Sequence, residues 1–320
     1  MITVNNILRS VYRLQNKNDS PLNILTLCKH TEKYISLLCK TKHNFYIPQS
    51  HSWNHLAQQQ PSNLNILESS IVPYLDYIIC YDRAEQYEEA QTLASHFHVP
   101  IILVDMCSKS VLKPHHILEN IKIIDHQRLQ RQPALQICNT KYISESWGQQ
   151  NVSTIIPVGI DTDIFKSQQN TNQILISIDN NTAPVVGSTL AYQIKGRYPI
   201  LPVEHDNLEI VQVNRTQYYL NTNKSITISL LEAMAAANIT ISLKTEDTEN
   251  FIVHNETGIL LNSIHELSDT ITFLETHPEL KQKISQRAQQ KILQEHSISN
   301  FVSKWLIAFK MIKALFYTPS

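Results

Sequence analysis

The 320-residue chain is poor in glycine. It has 5, where an average chain of this length would carry about 22 at ~7%. That excludes glycine-rich phosphate loops of the Walker or G-x-G-x-x-G type, and with them P-loop kinases and ordinary dinucleotide enzymes. Net charge is missing too. The 27 Lys and Arg nearly balance the 28 Asp and Glu, so no global field draws in nucleic acid or an anionic membrane. No apolar run approaches the roughly 18 residues of a membrane span. The opening stretch, MITVNNILRSVYRLQNKND, has no apolar segment ahead of a small-residue cleavage site, so no signal peptide is expected. Cysteine is sparse: Cys28, Cys39, Cys80, Cys107 and Cys138 are odd in number and form no C-x-x-C. Reduced thiols in a cytosolic protein fit that pattern, and structural zinc does not. His51/His55 and His115/His116 have no Cys or carboxylate companions at metal-ligand spacing and read as surface residues.

What is present is apolar material for two cores: 42% of residues are hydrophobic and 17% charged, which excludes a disordered or collagenous chain. Short apolar runs alternate with helical patterns. NILTLC (23–28), YIICYD (77–82), PIILVD (100–105) and LQICN (135–139) read as buried strands, with an amphipathic helix over 85–97. The pattern restarts near 150 with TIIPVG (154–159) and QILISID (173–179). A helix is expected near 187–196. PILPV (199–203), LEIVQV (208–213) and QYYLN (217–221) follow as short strands, then a strong helix at SLLEAMAAA (229–237) and a strand at ITISLK (239–244). From 264 onward the chain reads as helix throughout. The expectation is an α/β protein of two Rossmann-like domains facing across a cleft, residues 1–150 and 151–320. It ends in a helical C-terminus.

Open parallel sheets bind ligands at the carboxyl ends of their strands. His30, Asp105 and Lys224 stand at such ends.

Several segments resemble the GT-B glycosyltransferases, most closely the group-1-type retaining branch that includes glycogen- and sucrose-synthase relatives. LLEAMAAANITIS and HNETGILL fill the slots of E-A-M-A, the following strand and N-G-x-x-G-x-L-V. IIPVGIDTDIF (155–165) is similar to the I-P-N-G-V-D-x-x-x-F segment that opens the donor domain. DYIICYDRAEQYEEAQTLASHFHVPIILVD (76–105) is similar to a stretch of the acceptor domain. The resemblance implies transfer of a hexosyl-type sugar, with retention, from a nucleotide diphosphate sugar to a glycan, lipid or protein acceptor. It implies no cofactor and no metal, because this scheme uses helix dipoles and basic residues. It also implies that the last helix, 300–320, packs back on the first domain. With cysteines so few, and none in a C-x-x-C, a cytoplasmic protein is expected, or, given the amphipathic segment 299–316, one peripheral at the inner membrane face.

Residue by residue, Glu232 takes the place of the carboxylate that holds the ribose hydroxyls. Ser225 and Thr227 precede it, where a hydroxyl either caps the helix or bonds a phosphate oxygen. Two departures stand out. The E-x7-E pair puts a second carboxylate eight residues before Glu232, and that position is Lys224. The G-R…K-G pair that neutralises the leaving diphosphate is absent after QILISID. Lys195 and Arg197 either supply that charge or simply end a helix. On the acceptor side no general-base His follows Val104–Asp105. His30 and Asp105 are left as candidates for catalysis or acceptor binding, beside the plainer readings of a solvated loop and a helix cap. Two functions stay open: an active glycosyltransferase, and a degenerate relative that binds a nucleotide, a glycan or a partner without turnover. The amphipathic segment 299–316 suits either a membrane surface or the core.

Overall fold

The computed structural model describes residues 20–28, 31–53, 59–67, 74–81, 85–109, 135–147, 153–165, 171–178, 200–204 and 210–317. The segment expected to be helical at 187–196 lies outside them.

The first half builds a parallel sheet from β1 (Asn23–Thr26), β2 (Asn44–Pro48), β3 (Leu64–Leu67), β4 (Tyr77–Cys80), β5 (Ile101–Asp105), β6 (Leu135–Cys138) and β7 (Ser153–Ile155). The strands lie in the order β3-β2-β1-β4-β5-β6-β7. β4, β5 and β6 are buried along their whole length, as continuous apolar runs covered on both faces must be. Helices α1 (Glu32–Cys39), α2 (Glu85–Phe97) and α3 (Lys141–Trp147) supply the cover. The short run at 154–159 is only partly strand. Its first residues extend this first sheet by pairing with β6, at Gln136 with Ser153 and Cys138 with Ile155.

The second sheet contains β8 (Thr171–Ile178), β9 (Ile200–Glu204), β10 (Thr216–Asn221), β11 (Ile239–Leu243) and β12 (Ile259–Leu261), in the order β12-β11-β10-β8-β9. Its helices are α4 (Ile210–Arg215), α5 (Ile228–Ala235), α6 (Glu246–Phe251), α7 (Leu267–Thr276) and α8 (Pro278–Glu295). One sequence reading is corrected: the described part of LEIVQV, from Ile210 on, is not a strand. Residues from Ile210 coil into α4, with Val213 fully buried and the Asn214 amide donating to the Ile164 carbonyl at 3.0 Å. Its β-branched residues have strand propensity, and tertiary packing overrides it.

α5 is apolar nearly all round and is buried accordingly. Thr227 caps its first turn by accepting from the Leu230 amide at 3.1 Å. Its far end closes as a Schellman turn, with the Ala237 amide on the Met234 carbonyl and the Asn238 amide on the Ala233 carbonyl. Ala237 sits at φ 59°, a left-handed conformation that glycine enters without cost.

The last helix, α9 (Ile298–Tyr317), returns to the first sheet. Tyr77 donates to the Phe309 carbonyl at 3.0 Å and stacks on the Phe309 ring. Tyr34 meets Phe301 and Trp305 edge-on. The apolar face of this helix is therefore spent on the core. Gly159 permits the approach: a Cβ there would stand 2.6 Å from that of Phe301. Nearby, the buried His296 ring donates from Nδ1 to the Val158 carbonyl at 2.8 Å, and burial lowers its pKa. No helix among the described residues is long and apolar enough to cross a membrane.

Candidate functional site

In each sheet the direction of strand addition reverses at one place, between β1 and β4 in the first and between β8 and β10 in the second. Such switch points open crevices at the carboxyl ends of the strands, where open α/β sheets hold ligands. The chain leaving β1 enters α1, and the chain leaving β10 enters α5. The two helices meet through one pair of side chains. Lys33, in the first turn of α1, places Nζ 2.6 Å from Oε2 of Glu232 on α5. The two side chains are only 10% and 13% exposed. An ion pair between residues 199 apart in sequence thus bridges the two switch points.

The surroundings explain why this pair exists. On α5 every residue except Glu232 is buried. A carboxylate on such a helix needs a charged partner, because a buried, unpaired charge costs about 3–5 kcal/mol. Lys33 meets that need from the other half of the molecule. A carboxylate's two oxygens offer about four lone-pair positions, more than one ammonium takes.

The loop between β10 and α5 is more open. Asn221 is fully buried and donates to Ser242 Oγ at 3.1 Å, which ties the end of β10 to β11. Beyond it Lys224 is exposed, and its carbonyl accepts from Thr245 Oγ1 at 2.7 Å. Ser225 and Thr227 are half-buried between Lys224 and the helix. Thr227 thus does the capping expected of it, and its hydroxyl proton stays available to an acceptor.

The first sheet's candidates are placed differently. Asp105, the last residue of β5, is buried and accepts from Gln136 Nε2 at 2.7 Å. The neighbouring strand thus holds its carboxylate at the end of the sheet. His51 is corrected from a surface residue to a linking one. Its Nδ1 accepts from the Cys28 amide at 3.1 Å and its Nε2 meets Glu89 at 3.0 Å. With Nδ1 accepting from the Cys28 amide, the neutral ring carries its proton on Nε2, facing Glu89. Cys28 itself is held as a thiol, pushed up to about 12 by burial and then by the nearby Glu32. His30, Lys195 and Arg197 lie outside the described residues.

A second contact joins the halves. Asp247, in the first turn of α6, is buried and accepts from the Ser108 amide at 3.4 Å. Burial raises its pKa, against the lowering effect of Ser108. Sequence reading missed Lys33 and Asp247 alike. Lys33 has only a weak signal, its nearness to His30 at a strand's carboxyl end, and nothing in its own type or neighbours marks it. For Asp247, on a short polar helix, there was none. Among the described residues no group of three His, Cys, Asp or Glu is placed to hold a metal ion.

Residues 199–307, which include Glu232, match the family model described as Glycosyl transferase-like. Solved structures match over almost the whole chain. Anabaena HepE, in complex with UDP and glucose, has a TM-score of 0.68 at 12% identity, covering 91% of this chain and 100% of its own. A glycosyltransferase from Rickettsia africae has a TM-score of 0.64 at 12% identity, covering 92% and 99%. Sucrose-phosphate synthase from Thermosynechococcus elongatus has a TM-score of 0.64 at 9% identity, covering 92% and 100%. The fold is that of the GT-B glycosyltransferases. No curated protein matches the sequence. In GT-B terms, α5 with Glu232 belongs to the second Rossmann-like unit, and Lys33 reaches it from the first.

Proposed function

We propose that the protein is a glycosyltransferase that moves a hexosyl-type sugar from a nucleoside diphosphate sugar to a hydroxyl-bearing acceptor. The observation that carries this reading is the position of Glu232. It is the partly accessible carboxylate of an otherwise buried helix, at the switch point of the second sheet, inside the segment that matches the glycosyltransferase-like family. A carboxylate so placed accepts both ribose hydroxyls. UDP is the first donor nucleotide to try, because HepE is recorded with UDP, with UDP and glucose, and with UDP-glucose.

In this reading the α5 cradle fixes the nucleoside through Glu232, and the hydroxyls of Ser225 and Thr227 face the diphosphate. Their donors and the nearby cations stabilise the charge that grows on the leaving diphosphate. The two halves, already touching through Lys33 and Asp247, hold sugar and acceptor in register and keep water out. Retention of configuration goes with the sequence resemblance. Lys195 and Arg197 remain proposed phosphate contacts and His30 a proposed acceptor-side residue. A glycan, lipid or protein can serve as acceptor. One observation favours a second reading, nucleotide binding without turnover: at the position of the pair's missing carboxylate stands the exposed Lys224.

The test is a panel of uridine, guanosine and adenosine diphosphate sugars, followed by thermal shift and by release of free nucleoside diphosphate. A site filled at 100 times its dissociation constant adds about 2.7 kcal/mol to stability. One nucleotide should raise the melting point of the wild type and release diphosphate, and Glu232→Ala should lose both. A shift with no release under any acceptor supports the binding reading. An equal shift in Glu232→Ala contradicts the site.

A further inference from the structure

Lys33 is explained by the fold only in part. A lysine that merely fastened the two halves could stand anywhere on their contact. This one leaves the first sheet's switch point and ends on the carboxylate at the second sheet's switch point, 2.6 Å away and shielded from water. In the described loop between β10 and α5 the cation is Lys224, which is exposed, and that loop is where the proposed diphosphate needs charge. We infer that Lys33 is a phosphate-binding residue, supplied by the first half to a nucleotide held by the second. The inference rests on the reading of Glu232 given above.

The chemistry supports a shared role. A carboxylate with about four lone-pair positions can accept ribose hydroxyls while an ammonium stays close. The diphosphate is joined to that same ribose, so it arrives within the sweep of a four-carbon stem. It carries more charge than a carboxylate, and an ammonium presents three donors to it. Before ligand binds, the ion pair keeps both charges compensated. Afterwards Glu232 takes the hydroxyls and Lys33 the phosphate, so neither charge is stranded. A fastening lysine and a phosphate-binding lysine therefore differ in one readout, the affinity gained on going from uridine to UDP.

The experiment measures that gain by calorimetric titration, with uridine read by competition where it is weak. It uses wild type, Lys33→Met, Glu232→Gln and the double variant, each checked for an intact melting transition. The Glu232→Gln background matters, because Lys33→Met alone leaves a stray carboxylate beside the phosphates. Loss of Lys33 should cut the uridine-to-UDP gain about tenfold or more, the scale of a charge-assisted contact, in both backgrounds. Uridine itself should change little in the Gln background, and Lys33→Arg should restore most of the gain. An unchanged gain in both backgrounds overturns the inference and leaves the function standing. If the wild type binds UDP no better than uridine, or binds neither, the inference falls as well. Binding of neither, with no response to the other nucleotides, also removes the proposed function.

Discussion

The carboxyl ends of the two sheets make an instructive pair. In the first sheet the polar groups are turned inward and bonded to each other. Asp105 holds Gln136, His51 joins Cys28 to Glu89, and Thr26 bonds Tyr81 at 2.7 Å. In the second sheet Asn221 is the last fully buried polar side chain of β10, bonded to Ser242 on β11. Beyond it Lys224, Ser225, Thr227 and Glu232 retain varying exposure. Equivalent positions in two like units have thus been put to different uses. In the proposed reading the described part of the first end is framework with one long cation reaching out, and the second end receives the ligand. Polar groups satisfied within the protein add order. Those with spare capacity add recognition.

The largest expected effect tests the framework. Trp305 is fully buried among Tyr34, Phe301 and Phe309, where α9 locks onto the first half. Trp305→Ala should cost about 3–5 kcal/mol in urea unfolding. A loss under about 1 kcal/mol, the size of a minor surface change, would remove the claim that α9 is part of the first core. A smaller effect sits at the Asp247 contact. Its pKa is raised by burial, so the stability its carboxyl contributes is present below about 3.8 and lost as pH rises through the folded value. Asp247→Asn escapes that loss. It should unfold at higher urea than wild type at pH 7, and the advantage should disappear towards pH 3.8. No difference between pH 4 and 7 would mean the carboxyl is better solvated than its position indicates. The smallest effect belongs to the α5 cradle. Ala237→Gly relieves the left-handed turn and should add about 0.5–1 kcal/mol by thermal melting, with nucleotide binding unaltered.

Much of the framework was legible in the sequence, for a physical reason. Buried parallel strands are continuous apolar runs, and YIIC, IILVD, LQIC and ITISL announce themselves. The helix over 85–97 shows its period. β2 and β3, NFYIP and LNIL, hide because they are short and broken by polar residues, and LEIVQV misled because its branched residues suit a strand. At the site, Glu232 stood out from its apolar frame, LL before and AMA after. Lys33 did not, since nothing local distinguishes a surface lysine from one that crosses to another unit 199 residues away. Asp105 and His51 were visible as residue types, but their partners Gln136, Cys28 and Glu89 come only from folding.

The central claim is that the α5 carboxylate binds a ribose while the first half supplies a phosphate contact. A crystal structure of the wild type with UDP tests it most directly. The account predicts both ribose hydroxyls within hydrogen-bond distance of Glu232, and Lys33 Nζ moved from that carboxylate to a phosphate oxygen. A nucleotide seated elsewhere, with the Lys33–Glu232 pair unchanged at 2.6 Å, would contradict it.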